Sequence, residues 1–150
     1  MTRILGIDPG KKGALAVMAR GDPSAWRVET HDMPAGIPDL QALLPRLTPV
    51  AFAVVEKPFY NRIMGTANAG RSGEAYGALL ASLHAAGIPI REVRPDEWKR
   101  ALNVPKDKAG ARQVAGMMFP DDADQWPLVK HDGRAEAALL AWYGLRWVKA

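Results

Sequence analysis

Four carboxylates stand where the sequence pattern predicts that strands end or a helix begins. Asp8 follows a short apolar run and precedes a Pro-Gly turn, and Glu56 ends a longer apolar run rich in β-branched residues. Asp132 and Glu136 stand four residues apart at the start of the last predicted helix. Residues at this spacing share one helical face, so the two side chains can act together.

These acids suit a site for hard divalent cations. Mg²⁺ prefers oxygen ligands and keeps several waters, and two ions roughly 3.5 to 4 Å apart can stabilise the attacking and leaving oxygens of a phosphoryl displacement. In this hypothesis Asp8 bridges two ions and Glu56 holds one of them. The two acids of the last helix hold the other ion. One ion helps to form hydroxide from water and the other offsets charge on the leaving 3′-oxygen, which is nuclease chemistry.

Each acid also has a simpler interpretation. Asp8 can organise its own turn, and Glu56 can face solvent at a strand end. Asp132 and Glu136 should repel each other, and the helix N-terminus compensates part of their charge. Asp132 can therefore simply cap the last helix while Glu136 is solvated. Convergence of all four acids favours the metal site over these alternatives. Three other acids lie in a polar loop and are predicted to be solvated, namely Asp121, Asp122 and Asp124.

The strands that carry Asp8 and Glu56 must lie side by side for this site to form. A helix predicted at residues 39–47, which Pro45 ends or kinks, separates them and allows a parallel crossover. Residues 61–71 are expected to form a loop or a frayed helix start. The pattern further predicts strands at residues 4–7, 14–18, 26–31, 49–55 and 88–93, and helices at residues 72–86, 94–102, 108–119 and 132–148.

Composition limits the class of protein. A chain of 150 residues fits one domain over residues 1–150. It has no cysteine, which excludes disulfides, thiolate zinc sites and a cysteine nucleophile. No apolar stretch approaches the roughly 20 residues that cross a membrane, and the N-terminus lacks a secretory-signal layout, so a cytoplasmic location is expected. The net charge of +4 favours a polyanionic partner.

Basic and aromatic residues near the acids could bind nucleic acid. Phosphate contacts would give salt-dependent and largely sequence-independent affinity, although each cation alone could be a solvated surface charge. Phe59 and Tyr60 could stack on bases, a contact worth about 1 to 3 kcal/mol per base, or pack in the core. The candidate cations are Lys57, Arg62 and Arg71 near the second acid, and Lys99, Arg100, Lys106, Lys108 and Arg112 before the last helix.

The motifs GIDPG, with Asp8, VVEKPF, with Glu56, a basic segment and HDGRAEAALLA occur in this order along essentially the whole chain. In this arrangement the chain resembles the RuvC-type Holliday-junction resolvases of bacteria and phages, within the RNase H-like superfamily. The resemblance implies an α/β fold with a central five-stranded mixed sheet, an antiparallel meander followed by parallel strands, flanked by helices. It also implies a homodimer that nicks four-way DNA junctions symmetrically with Mg²⁺ or Mn²⁺, in a bacterial cell or a phage-infected host.

The resemblance assigns further roles. Phe59 matches an aromatic residue that stacks on bases opened at the crossover, and Lys99 and Lys108 match basic positions near the scissile phosphate. One of these two lysines is expected to stabilise the transition state. The last two ligands of the family stand three residues apart on the final helix, whereas Asp132 and Glu136 are four apart. His131 therefore stays open as an alternative ligand, an activator of water or a structural cap.

Two other functions remain open at this point. A module of the same fold could bind branched DNA without cleaving it, although all the acidic positions are retained. The segment GIDPGKKG also resembles the phosphate-binding hairpin of the sugar-kinase and actin-like ATPases. Those proteins need two such domains with the nucleotide between them, and 150 residues supply one.

Overall fold

A computed structural model of the chain describes residues 2–21, 25–107 and 109–149. The five strands are β1 (Arg3–Asp8), β2 (Ala14–Arg20), β3 (Trp26–Asp32), β4 (Phe52–Glu56) and β5 (Ile90–Val93). The α-helices are α1 (Ile37–Leu47), α2 (Thr66–Ala85), α3 (Pro95–Ala101), α4 (Gly110–Met118) and α5 (Asp132–Tyr143). Short 3₁₀ turns lie at Arg62–Met64, Pro120–Gln125, Val129–His131 and Gly144–Trp147.

The strands form one mixed sheet in the order β3-β2-β1-β4-β5. The first three strands follow one another with short connections in sequence and are antiparallel, whereas β1, β4 and β5 are parallel, with α1 before β4 and α2 before β5 in the chain. Ile7 pairs with Val55, so β1 and β4 end at the same edge of the sheet. The predicted fold class is confirmed.

Helices cover both faces of the sheet. On one face α5 packs against β1 and β2, and on the other face α1 and α2 pack against a second apolar cluster. Gly6 allows the close approach of α5, because a Cβ at this position would lie 2.0 Å from the carbonyl oxygen of Ala137. A strand buried on both faces reads as a continuous apolar run, which explains the composition of β1 and β4.

Several predicted boundaries differ from the structure. α2 begins at Thr66, so much of the segment expected to be a loop or a frayed start is regular helix. Pro45 lies in the last turn of α1 and does not end it early, because only one backbone hydrogen bond is lost there. The last helix ends at Tyr143 and continues as a 3₁₀ turn to Trp147. Among the described residues, no helix is both long and apolar enough to span a membrane.

Two side chains from a 3₁₀ turn cover the outer edge of β3. The carboxylate of Asp122 accepts a hydrogen bond from the backbone N–H of Val28 at 3.0 Å and from the guanidinium of Arg27 at 2.7 Å. The Gln125 amide accepts from the N–H of Thr30 and donates to the carbonyl of Val28, both at 2.8 Å. The prediction that Asp122 is solvated is therefore wrong, because the loop folds against a strand edge far away in sequence. Asp121 and Asp124 are exposed, as predicted.

Candidate active site

Three of the four predicted acids meet at one edge of the sheet. Asp8 ends β1, Glu56 ends the parallel neighbour β4, and Glu136 lies in the second turn of α5, which packs on β1. One carboxylate oxygen from each lies within 4.8 Å of the other two. We call these residues the carboxylate triad. Three hard oxygen donors at this spacing fit a divalent cation such as Mg²⁺ or Mn²⁺.

Burial and mutual repulsion raise the pKa of two triad members. The pKa of Asp8 rises from 3.8 to about 9, first because the group is buried and then because Glu136 and Glu56 are close. The pKa of Glu56 is also raised, by burial and by Glu136. Such carboxylates are unfavourable as bare anions, and a cation held between them would remove the repulsion. This electrostatic arrangement is typical of a functional site.

Lys99 adds a positive charge to this group. Its Nζ lies 3.2 Å from Oε1 of Glu136. Its positive charge partly offsets the upward shift in the pKa of both Asp8 and Glu56. Lys99 is carried by α3, which starts two residues after the end of β5 at Val93, and Val93 pairs with Glu56 across the sheet. The chain order of strand and helix therefore places this ammonium beside the carboxylates.

The fourth predicted acid lies outside the triad. Asp132 accepts a hydrogen bond from Nε of Arg112 at 2.6 Å. The family resemblance predicts a second ligand three residues before Glu136, and that position is Gly133. A Cβ at Gly133 would lie 2.3 Å from the carbonyl oxygen of Lys12, so the backbone of the β1–β2 turn fills the space that a side chain would need.

His131 has a local contact of its own. Its Nδ1 accepts a hydrogen bond from the backbone N–H of Leu128 at 3.2 Å, which caps the 3₁₀ turn at Val129–His131. This geometry favours the structural-cap interpretation of His131. Asp132 stands at the N-terminus of α5, where its carboxylate pairs with Arg112. Its role as a metal ligand stays a prediction.

A cleft of about 840 Å³ opens beside Asp8 and Glu56, between α1 and α2. We call it the active-site cleft. Phe59 is 71% exposed at this cleft, so the alternative that it is a core residue is wrong. The cationic side chains that line the cleft are Lys11, Lys57 and Arg71. An anionic strand with bases could therefore lie against both charge and an aromatic surface.

The chain matches no family model, but it is similar to known proteins. It is 37% identical over 130 residues to the crossover junction endodeoxyribonuclease RuvC of Alkalilimnicola ehrlichii, an alignment that covers 79% of this chain and 76% of that protein. It is 31% identical over 131 residues to the enzyme of the same name from Heliobacterium modesticaldum, with 77% and 76% covered. The chain belongs to the RuvC family.

Solved structures of RuvC and of other resolvases share the fold. RuvC of T. thermophilus in complex with a Holliday junction substrate superposes with a TM-score of 0.68 at 22% identity, covering 97% of this chain and 96% of that one. The Fowlpox virus Holliday junction resolvase gives a TM-score of 0.62 at 14% identity, covering 98% and 100%. The predicted family is thus confirmed by sequence, and the five-stranded mixed sheet is shared with these solved structures.

The other cations predicted to contact DNA in this RuvC-family chain differ in their surroundings. Lys57, Arg62 and Lys106 are exposed, whereas Arg112 is engaged by Asp132. Lys108 lies outside the described residues. Lys11 lines the active-site cleft, although it was not among the predicted DNA contacts. Its signal was present in the sequence, since Lys11 stands only three residues after Asp8, in the turn between the first two strands.

Proposed function

We propose that this chain is a structure-selective DNA endonuclease that resolves four-way junctions by symmetric, divalent-metal-dependent nicking. The observation that carries the proposal is the carboxylate triad, in which acids from residues 8, 56 and 136 lie within 4.8 Å of one another. Membership in a family of crossover junction endodeoxyribonucleases supports the same reaction class. A Holliday junction is the substrate bound to RuvC of T. thermophilus, which shares this fold.

The triad would hold Mg²⁺ or Mn²⁺, with two ions at each site in our proposal. When bound, such ions supply positive charge that favours ionisation of an attacking water and offsets charge on the leaving 3′-oxygen. Asp8 is the proposed shared ligand, with Glu56 towards one ion and Glu136 towards the other. Asp132 is proposed as a fourth ligand, through the carboxylate oxygen that Arg112 does not engage or after Arg112 releases Oδ1.

The active-site cleft would receive the DNA strand. Lys57 and Arg71 would contact phosphates, and the exposed ring of Phe59 would stack on a base that is unpaired at the crossover. Lys108, which precedes Gly110 by two residues in the sequence, is proposed to act near the scissile phosphate. The remaining phosphate contacts that we propose are Arg62, Lys99, Lys106 and Arg112.

Symmetric nicking requires two sites, and α2 offers a surface for a second copy. No residue of α2 before Leu79 is buried, although this part of the helix is rich in alanine and glycine. Glycines within a helix weaken it by about 1 kcal/mol each relative to alanine, so packing from outside would stabilise this segment. Sedimentation of the full chain should therefore report a homodimer.

Incubation with a synthetic four-way junction tests the proposal. We expect Mg²⁺ or Mn²⁺ to produce two nicks at symmetric positions, with no cleavage of a linear duplex of the same sequence and none in EDTA. Binding of the junction without nicking, under conditions where Mn²⁺ binds the protein, would instead favour a non-catalytic module. ATP hydrolysis without DNA cleavage would favour the ATPase alternative.

A further inference from the structure

Lys99 and the carboxylate triad form a closely packed group of opposite charges. Nζ of Lys99 is 3.2 Å from Oε1 of Glu136, and the two side chains are 38% and 21% exposed. Glu56 is 8% exposed, so solvent screens the negative charges poorly. Among the described residues, Lys99 is the basic residue that forms a salt bridge with a triad member.

The Glu136 carboxylate cannot serve Lys99 and a divalent ion equally well. An ion held by Glu136 would place a double positive charge close to the ammonium, and two cations at one carboxylate repel each other. Lys99 can move away, because its stem is flexible and its side chain is partly exposed. The triad members are fixed by two strand ends and a buried helix, and therefore have less freedom to adjust.

We propose that Lys99 is the built-in counter-ion of the carboxylate triad, which a divalent ion displaces from Glu136 so that the ammonium becomes free to contact the substrate phosphate. The inference rests on the proposed function, because it assumes that the triad binds the metal. It adds an exchange of partners to the phosphate contact predicted for Lys99. Lys99 then links metal loading to the capture of DNA.

Metal binding and thermal unfolding of the 150-residue chain, without DNA, test this exchange. The variant is Lys99→Met, and the matched control is Lys130→Met, which removes an exposed positive charge outside the triad. In EDTA we expect Lys99→Met to lower Tm by about 2 to 4 °C, the shift typical of losing one partly buried pair in a chain of this size. Saturating Mn²⁺ should abolish this difference, because the ion replaces the missing charge.

Calorimetric titration with Mn²⁺ gives an independent measure. Lys99→Met should bind Mn²⁺ about tenfold more tightly than the wild type, because the ion no longer has to displace an ammonium. Lys130→Met should bind it like the wild type. In a Glu136→Gln background, Lys99→Met should lower Tm in EDTA by less than it does in the wild type, because the carboxylate that pairs directly with the ammonium is gone and only Asp8 and Glu56 still interact with it.

The wild-type protein supplies a test that needs no variant. Amine-reactive labelling followed by mass spectrometry should show faster modification of Lys99 when Mn²⁺ is added, relative to Lys130. Unchanged labelling, equal Mn²⁺ affinity of the wild type and Lys99→Met, or a Tm deficit that Mn²⁺ does not close would each overturn the inference and leave the proposed nuclease intact. Failure of both proteins to bind Mn²⁺ would overturn the metal site and the inference together.

Discussion

Asp8→Asn should make the metal-free protein more stable while removing its nuclease activity. The pKa of Asp8 is raised from 3.8 to about 9 by burial and by the neighbouring Glu136 and Glu56. At a pH between these two pKa values, Asp8 keeps its proton in the folded state but has lost it in the unfolded chain. The stability of the metal-free wild type should therefore fall as the pH rises from about 4 to about 9.

The magnitude follows from the size of this pKa shift. Between the ordinary pKa of 3.8 and the raised pKa, each pH unit lowers the free energy of unfolding by about 1.36 kcal/mol. At pH 7 the loss of stability is therefore about 4 kcal/mol. This is an upper limit, because Glu56 and Glu136 share the repulsion. Asparagine has nearly the same shape and no charge, and should raise Tm by roughly 5 to 10 °C in EDTA at pH 7. Near pH 4 the two proteins should unfold at similar temperatures.

Thermal unfolding in EDTA across this pH range is the assay, with Asp121→Asn as the control because Asp121 is exposed. In Mn²⁺ the Tm advantage of Asp8→Asn over the wild type should shrink, since the wild type gains a bound ion that Asp8→Asn holds poorly. The variant should also bind a four-way junction at least as well as the wild type. An Asp8→Asn protein that is less stable at pH 8 in EDTA, or that still nicks junctions, would refute this reasoning.

Three further predictions concern other parts of the molecule. Phe59→Ala should slow cleavage of intact junctions more than of junctions with pre-opened centres, and equal slowing would exclude a stacking role. Glu136→Gln should weaken Mn²⁺ binding in calorimetry more than Asp132→Asn does, because only Glu136 belongs to the triad; the opposite order would restore Asp132 as a principal ligand. Asp122→Ala should destabilise the protein by about 1 to 3 kcal/mol in urea unfolding, because it leaves a buried backbone N–H unpaired. Stability within error of the wild type would show that water replaces this contact.

The sequence predicted the part of the site that depends on strand order. Asp8 and Glu56 each end an apolar run, and a helical segment between parallel strands brings such ends to one edge of the sheet. Glu136 was also found, because helical periodicity places it on a definite face of α5. These relations need only the period of each element and the handedness of the crossover.

Contacts between distant loops could not be predicted in the same way. The pattern did not show that the turn containing Asp122 folds onto β3, or that Arg112 engages Asp132. Nor did it show that the backbone at Lys12 fills the space beside Gly133. Each of these depends on how two segments far apart in sequence approach each other, which local periodicity does not encode.

The hydrogen bonds that Asp122 and Gln125 make to β3 have a consequence for self-association. An edge strand normally offers free N–H and C=O groups to which a strand of another molecule can add, which is a common route to aggregation. Here side chains occupy the N–H and C=O of Val28 and the N–H of Thr30, groups to which an added strand would bond. Copies of the chain are thereby discouraged from joining sheet to sheet at β3, and helix surfaces are left for specific pairing.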